Sequence, residues 1–293
     1  MTNENTTPTP KSDGDIEEKA ESSPKPPLYV PDYPDPVDKL LKIGRVNAFT
    51  GVDYYERGIR KRHKADLIRM AIDEELHDAP SDTPWVWGPV HAWRALAQLG
   101  AFDAAETLIE NLFWRVADDD DWVYSEMPLV FSLFGIGALP ALDKFLDPDK
   151  LNGIEPRKLA VRTIMFIGQG GEMSRIAARQ IMLKHLNLYE KHYPEFNALT
   201  AANIILLAEP SEAKELINKV LESGKVDMEV YTEEIYNVFD LIEEVSGVNP
   251  LNAVDENMSE DFDSETVVLP PKTNQLSQNR KKHNKKRKNR KKR

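Results

Sequence analysis

Four stretches of this chain can be laid one under another: HAWRALAQLGAFDAAETLIENL, EMPLVFSLFGIGALPALDKFL, LAVRTIMFIGQGGEMSRIAARQIM and LTAANIILLAEPSEAKELINKVL. Each reads as an apolar helix, a short turn and a second amphipathic helix, with turns beginning near Gly100, Gly135, Gly168 and Glu209, at offsets of 35, 33 and 41 residues. Self-similarity at this period constrains the fold more than any single residue does, because one helix pair cannot bury its apolar face alone and must stack on copies of itself. The expectation is an all-α chain whose body is an α-solenoid of about four to five helix pairs.

Local patterns support helices throughout the body. In DDWVYSEMPLVFSLFG, Val123, Met127, Val130 and Phe134 recur at steps of 4, 3 and 4, which makes one apolar stripe. The acids Asp118 to Asp121 precede that stripe and suit a helix start, where carboxylates accept from free N–H groups; the alternative, a calcium loop, lacks the spaced ligands and the glycine. HKADLIRMAIDEELHDAP, with Leu67, Met70, Ala71 and Leu76 apolar, reads as half a unit or an N-terminal cap. YTEEIYNVFDLIEEVSG, with Ile235, Phe239, Ile242 and Val245 on one face, Thr232 as N-cap and Gly247 as stop, reads as the terminal cap. These helix, Gly turn, helix units resemble HEAT-like repeats over roughly residues 63–223, in the short form found in phycobilisome-lyase-type and uncharacterised bacterial HEAT-repeat proteins. What the resemblance implies is a stiff stack with broad surfaces.

Charge is spread unevenly. The net charge is -11, yet the last 14 residues hold 11 cations and no acid: Arg280, Lys281, Lys282, Lys285, Lys286, Arg287, Lys288, Arg290, Lys291, Lys292 and Arg293. The rest carries 27 cations against 49 acids, a net of -22, so a phosphate polymer is repelled by the general surface and must meet the tail. Composition divides the chain into a disordered Pro/Ser/Thr-rich leader at 1–36, a helical repeat domain at 37–249, an acidic and polar linker at 250–279 and the basic tail at 280–293. There is no cysteine, the start is too polar for a signal peptide, and no run is expected to reach the roughly 18 to 20 apolar residues of a transmembrane segment. The expectation is a soluble, cytoplasmic monomer, or a nuclear protein if the source is eukaryotic, since the tail would then serve as a localisation signal.

Motifs for chemistry fail one by one. Gly168, Gly170 and Gly171 lack the third glycine of a dinucleotide loop, Met173 standing in its place, and a helix precedes them. Glu74 and His77 form a single Glu-x-x-His where a dimetal bundle needs two. His63, His91, His185 and His192 fall in different units with no shared acid or nucleophile motif. Neither metal nor cofactor is expected. In PWVWGPVHAWRALAQLG, Trp93 falls with Val90 and Ala97 on the buried stripe, whereas Trp85 and Trp87 are candidates for binding a protein partner or for packing on the preceding unit. Three functions stay open: a non-catalytic scaffold or adaptor whose tail contacts RNA, ribosome or DNA; a direct, sequence-independent nucleic-acid binder; and, by the HEAT resemblance, an enzyme such as a chromophore lyase or alkylbase DNA glycosylase.

Overall fold

The computed structural model describes residues 31–46, 52–150, 152–207 and 210–236. Residues 1–30 of the expected leader, the expected linker and basic tail, and Phe239, Ile242, Val245 and Gly247 of the expected terminal cap lie outside the described residues; 31–36, expected in the leader, are described. The compact unit begins at Tyr33, ahead of the expected start at 37: Tyr33 and Val37 are buried, and the Tyr33 hydroxyl donates to Asp73 at 2.5 Å.

Helices account for most of the described residues, and no strand occurs among them. After a short 3-10 helix at Val37–Lys42 come α1 (Lys64–Ala71), α2 (Glu74–His77), α3 (Gly88–Gln98), α4 (Ala105–Leu112), α5 (Asp121–Phe134), α6 (Leu139–Phe145), α7 (Ile154–Gly168), α8 (Glu172–Asn187), α9 (Pro194–Leu207) and α10 (Pro210–Glu222). Residues 228–236 are also helical, and their cap is Asp227, which accepts from the amides of Glu229 and Val230 at 3.0 Å; Thr232, the expected N-cap, lies inside the helix. The stripe on α5 is buried as its spacing requires: Val123, Met127, Val130 and Phe134 all face the core. Asp120 caps this helix by accepting from the amides of Trp122 and Val123 at 3.1 and 3.0 Å, while Asp119 before it takes the left-handed conformation.

The order of packing follows from the pairs. α1 packs on α3, α3 on α5, α5 on α7 and α7 on α9; the second members form their own succession, α4 on α6, α6 on α8 and α8 on α10. Three of the pairs turn over at a glycine with positive φ, where other side chains would be strained: Gly100, Gly135 and Gly171. The connection from α6 to α7 is fixed differently. The fully buried Arg157 donates to the carbonyls of Leu146, Asp147, Lys150 and Asn152, satisfying a loop that would otherwise leave acceptors unpaired inside.

One expectation needs correction. Residues Asp121–Phe145 form a run long and apolar enough to cross a membrane by length and composition, with a mean hydropathy of 1.4. Half of that run is buried in the fold against α3, α7 and neighbouring turns, and the chain turns within it at Gly135, while Trp122, Tyr124, Leu133 and Ile136 stay exposed.

Candidate protein-binding surface

The site grows out of α3. Its residues His91, Arg94 and Gln98, at steps of 3 and 4, share one face, and all three hold described residues earlier in the chain: Gly44, Val46, Val52 and Tyr54. His91 Nε2 donates to the Gly44 carbonyl and its Nδ1 accepts from the Tyr54 hydroxyl, both at 2.8 Å; the carbonyl can only accept, which fixes the tautomer. Arg94 donates to the Val46 carbonyl at 2.9 Å and makes a two-pronged pair with the buried Glu126 of α5 at 2.9 and 2.5 Å. Gln98 donates to the Val52 carbonyl and accepts from the Tyr54 amide. Burial pushes His91 down to about 4 and raises the Tyr54 hydroxyl, so this grip is made by uncharged groups around one compensated ion pair.

The grip places Arg45. Its guanidinium lies 5.6 Å from the ring centre of Trp87 and 5.5 Å from that of Trp122, and the two indoles meet edge to face at 4.6 Å. Trp87 ends the 3-10 turn Pro84–Trp87, and Trp122 stands in the first turn of α5. Gly88 lets this turn sit close to its neighbours, since a Cβ there would come within 2.8 Å of Leu41. Further along α5, the Tyr124 hydroxyl accepts from Arg162 of α7 at 2.9 Å, and the same guanidinium lies over the rings of Tyr124 and Phe166. Trp122, Tyr124 and Arg45 are exposed, and Trp85, Trp87, Arg162 and Phe166 are half-buried. The result is a surface of rings and guanidiniums that crosses from α3 to α7.

Of the two tryptophans singled out by sequence, Trp87 thus packs forward on Trp122 of the following unit, while its turn also touches α2 and the first 3-10 helix. Trp93 is buried. Arg45, Trp122, Tyr124 and Arg162 were missed. Trp122 was hidden by the acids before it, read only as a cap; Arg45 carries no periodic signal at all.

Two further differences concern titratable groups. His185 and His192, expected apart, meet: His185 Nε2 donates to Asp143 at 2.8 Å, and its Nδ1 faces His192 Nε2 at 3.3 Å. Burial lowers both rings, His192 to about 4. Beside them lies an open cleft of about 380 Å³ lined by Lys144, Lys184, Lys191, Asp143, Asp147 and Asp149 among others. Its three cations and three acids cancel, and Lys184 is already paired with Asp143 and Lys144 with Glu106, so the cleft selects neither anion nor cation. His77 is turned to the Ala71 carbonyl at 3.0 Å. Among the described residues no three His, Asp or Glu side chains form a metal-binding group. The eleven basic tail residues from Arg280 to Arg293 lie outside the described residues.

No protein-family model, curated protein or solved structure matches the chain.

Proposed function

We propose that the chain is a non-catalytic scaffold: a HEAT-like α-solenoid that holds a protein partner on the ring and guanidinium surface of α3, α5 and α7, and contacts a polyanion through its basic tail. Support for the solenoid comes from the two parallel successions, α1 through α9 and α4 through α10, each helix meeting the equivalent helix of the next pair. The observation that carries the binding surface is the Arg45, Trp87 and Trp122 cluster. Tryptophan, tyrosine and arginine dominate the energetics of protein interfaces, and here they already meet one another, Arg45 with Trp87 and Trp122 and Arg162 with Tyr124, so less ordering is left to a partner. RNA, ribosomal or DNA phosphates fit the tail by charge, whereas the acidic remainder disfavours nucleic acid as the ligand of the folded surface.

The test uses the full chain as bait in lysate, against Trp122→Ser with Arg45→Ser and against a chain ended at residue 279, each with and without nuclease. The protein partner is expected to be lost from the double variant only, and nuclease-sensitive material from the shortened chain only. Identical captures by all three would overturn both assignments.

A further inference from the structure

The opposite edge of the stack, where each pair turns over, carries a different kind of side chain. Phe102, Leu133, Ile136 and Met173 are 52, 67, 52 and 71% exposed. Three of them occupy matching places, one or two residues after the turn glycines Gly100, Gly135 and Gly171. The turns that bear them touch. The Phe102 ring lies against Gly137, so closely that a Cβ there would fall 2.7 Å from it, and the Gly135–Ala138 turn in turn contacts α8, whose first turn holds Met173. Scattered exposed apolar residues need no explanation, but a row repeated from unit to unit along touching turns marks a covered surface.

The described chain points to what covers it. The Asp227 backbone amide donates to the Pro194 carbonyl at 3.1 Å and the Asn203 side-chain amide to the Glu234 carboxylate at 2.9 Å, so residues 228–236 run parallel to α9. The far end of α9 lies at the turn edge, because Leu207 packs on Gly168. The chain therefore leaves the described fold heading for that edge. Fourteen residues later, Leu251, Val254, Met258 and Phe262 recur at steps of 3, 4 and 4, one apolar stripe on a helix, with Asp255, Glu256, Glu260 and Asp261 between them. Fourteen residues reach about 20 Å if helical and about 45 Å if extended, enough to span touching turns whose helices lie about 10 Å apart.

We propose that residues 251–262 of this same chain cover the turn edge, seating Leu251, Val254, Met258 and Phe262 on the Phe102, Leu133, Ile136 and Met173 row. This surface is separate from the ring and guanidinium surface and does not depend on its role.

The chain has no cysteine, which makes a disulfide test clean. In the full chain, Met173→Cys with Met258→Cys is compared with Trp114→Cys with Met258→Cys; Trp114 is exposed and precedes α5, away from the turn row. Oxidation in dilute solution is followed by non-reducing electrophoresis and peptide mass mapping. The first pair is expected to close within one chain at least ten times faster than the second, and to lose that advantage when Val254→Asp is added. Equal rates in the two pairs overturn the proposal. Covalent dimers in place of the internal bond also overturn it and assign the row to a second copy of the chain. Amide exchange, which needs no new cysteine, provides the second reading: ending the chain at residue 250 is expected to raise exchange at least fivefold around residues 133–137 and 172–176, and no change there overturns the proposal as well.

Discussion

The edge where α3 and α5 begin and the edge where the pairs turn over both expose large apolar side chains, but they hold them in opposite ways. At the first, Trp87 and Trp122 meet each other edge to face under Arg45, and Tyr124 is hydrogen-bonded and stacked by Arg162. At the second, Leu133, Ile136 and Met173 stand mostly in water. The difference originates one layer down. α3 spends three polar side chains on holding Gly44, Val46 and Val52, and that investment positions Arg45; the turns are fixed by glycine conformation and by the Phe102 ring against Gly137, and leave Leu133, Ile136 and Met173 largely exposed. A surface fixed from below is organised before binding. A bare row of aliphatics waits for a cover.

The sharpest way to break the contrast is to remove the foundation of the first edge. Glu126→Ala leaves the Arg94 guanidinium buried without its two-pronged partner, and stripping one member of such a pair costs about 3 to 5 kcal/mol. Thermal unfolding is expected to fall by about 10 °C for a body of this size, and Trp fluorescence should shift as Arg45 releases the indoles. An unchanged melting point would mean that the Arg94–Glu126 pair is not holding the chain at Val46.

Acid titrates the same foundation. His91 in the fold is pushed down to about 4 from an ordinary 6.5 by burial, with Arg94 and Arg57 adding to the effect and the Gly44 carbonyl and Glu126 opposing it. The unfolded chain therefore binds the proton first, and stability falls as pH drops from about 6.5 to about 4, by about 3 kcal/mol for this ring, then levels off. His192, lowered to about 4 by burial and by His185 and Arg157, adds a similar slope from the other end of the stack. Denaturant unfolding across that pH range should show a flatter profile in His91→Phe, with His192 and the other rings that burial lowers, His63, His77 and His185, left to supply the remaining slope. A profile as steep as the parent's would contradict a buried neutral His91.

How far the sequence carried can be judged from particular residues. Turn glycines and the stripes on α1 and α5 were legible, because helical periodicity is local and each apolar position reports its own burial: Leu67, Met70, Met127 and Phe134 all lie inside. The cap at Asp120 was legible for the same reason. The grip of His91, Arg94 and Gln98 was not. Its partners are main-chain carbonyls some 45 residues earlier, at Gly44, Val46 and Val52, in a segment without periodicity, and a carbonyl acceptor leaves no letter in the sequence. Asp143, His185 and His192 were likewise read apart, because Asp143 and His185 lie 42 residues apart on α6 and α8 and meet only when the second helices stack. Trp122 was hidden by a correct reading of its neighbours.

A smaller effect tests the turn edge through its backbone. Gly168→Ala would bring a Cβ within 2.7 Å of a Leu207 methyl and 3.1 Å of Ala178. The methyl can swing aside and the helix gains from alanine, so the net cost is about 1 to 2 kcal/mol. Calorimetry should place this variant between the parent and Glu126→Ala. A stabilised variant would show that α7 and α9 are looser at this edge than their contact implies.

The smallest effect compares one side chain from each edge directly. Trp122→Ser removes an edge-to-face ring contact and a guanidinium stack, worth about 1 kcal/mol beyond the area it covers. Leu133→Ser removes a side chain already two-thirds exposed, and surface changes of that kind stay within about 0.5 kcal/mol. Both are measured by urea unfolding in a chain ended at residue 250, so that residues 251–262 cannot contribute, and the order expected is a visible loss for Trp122→Ser and none for Leu133→Ser. Repeating the pair in the full chain separates intrinsic packing from cover: the Trp122→Ser loss should be unchanged, while Leu133→Ser should now register a cost, since a docked segment would lose one of its seats. Equal losses for the two variants in the shortened chain would erase the distinction between an edge organised from below and an edge left bare.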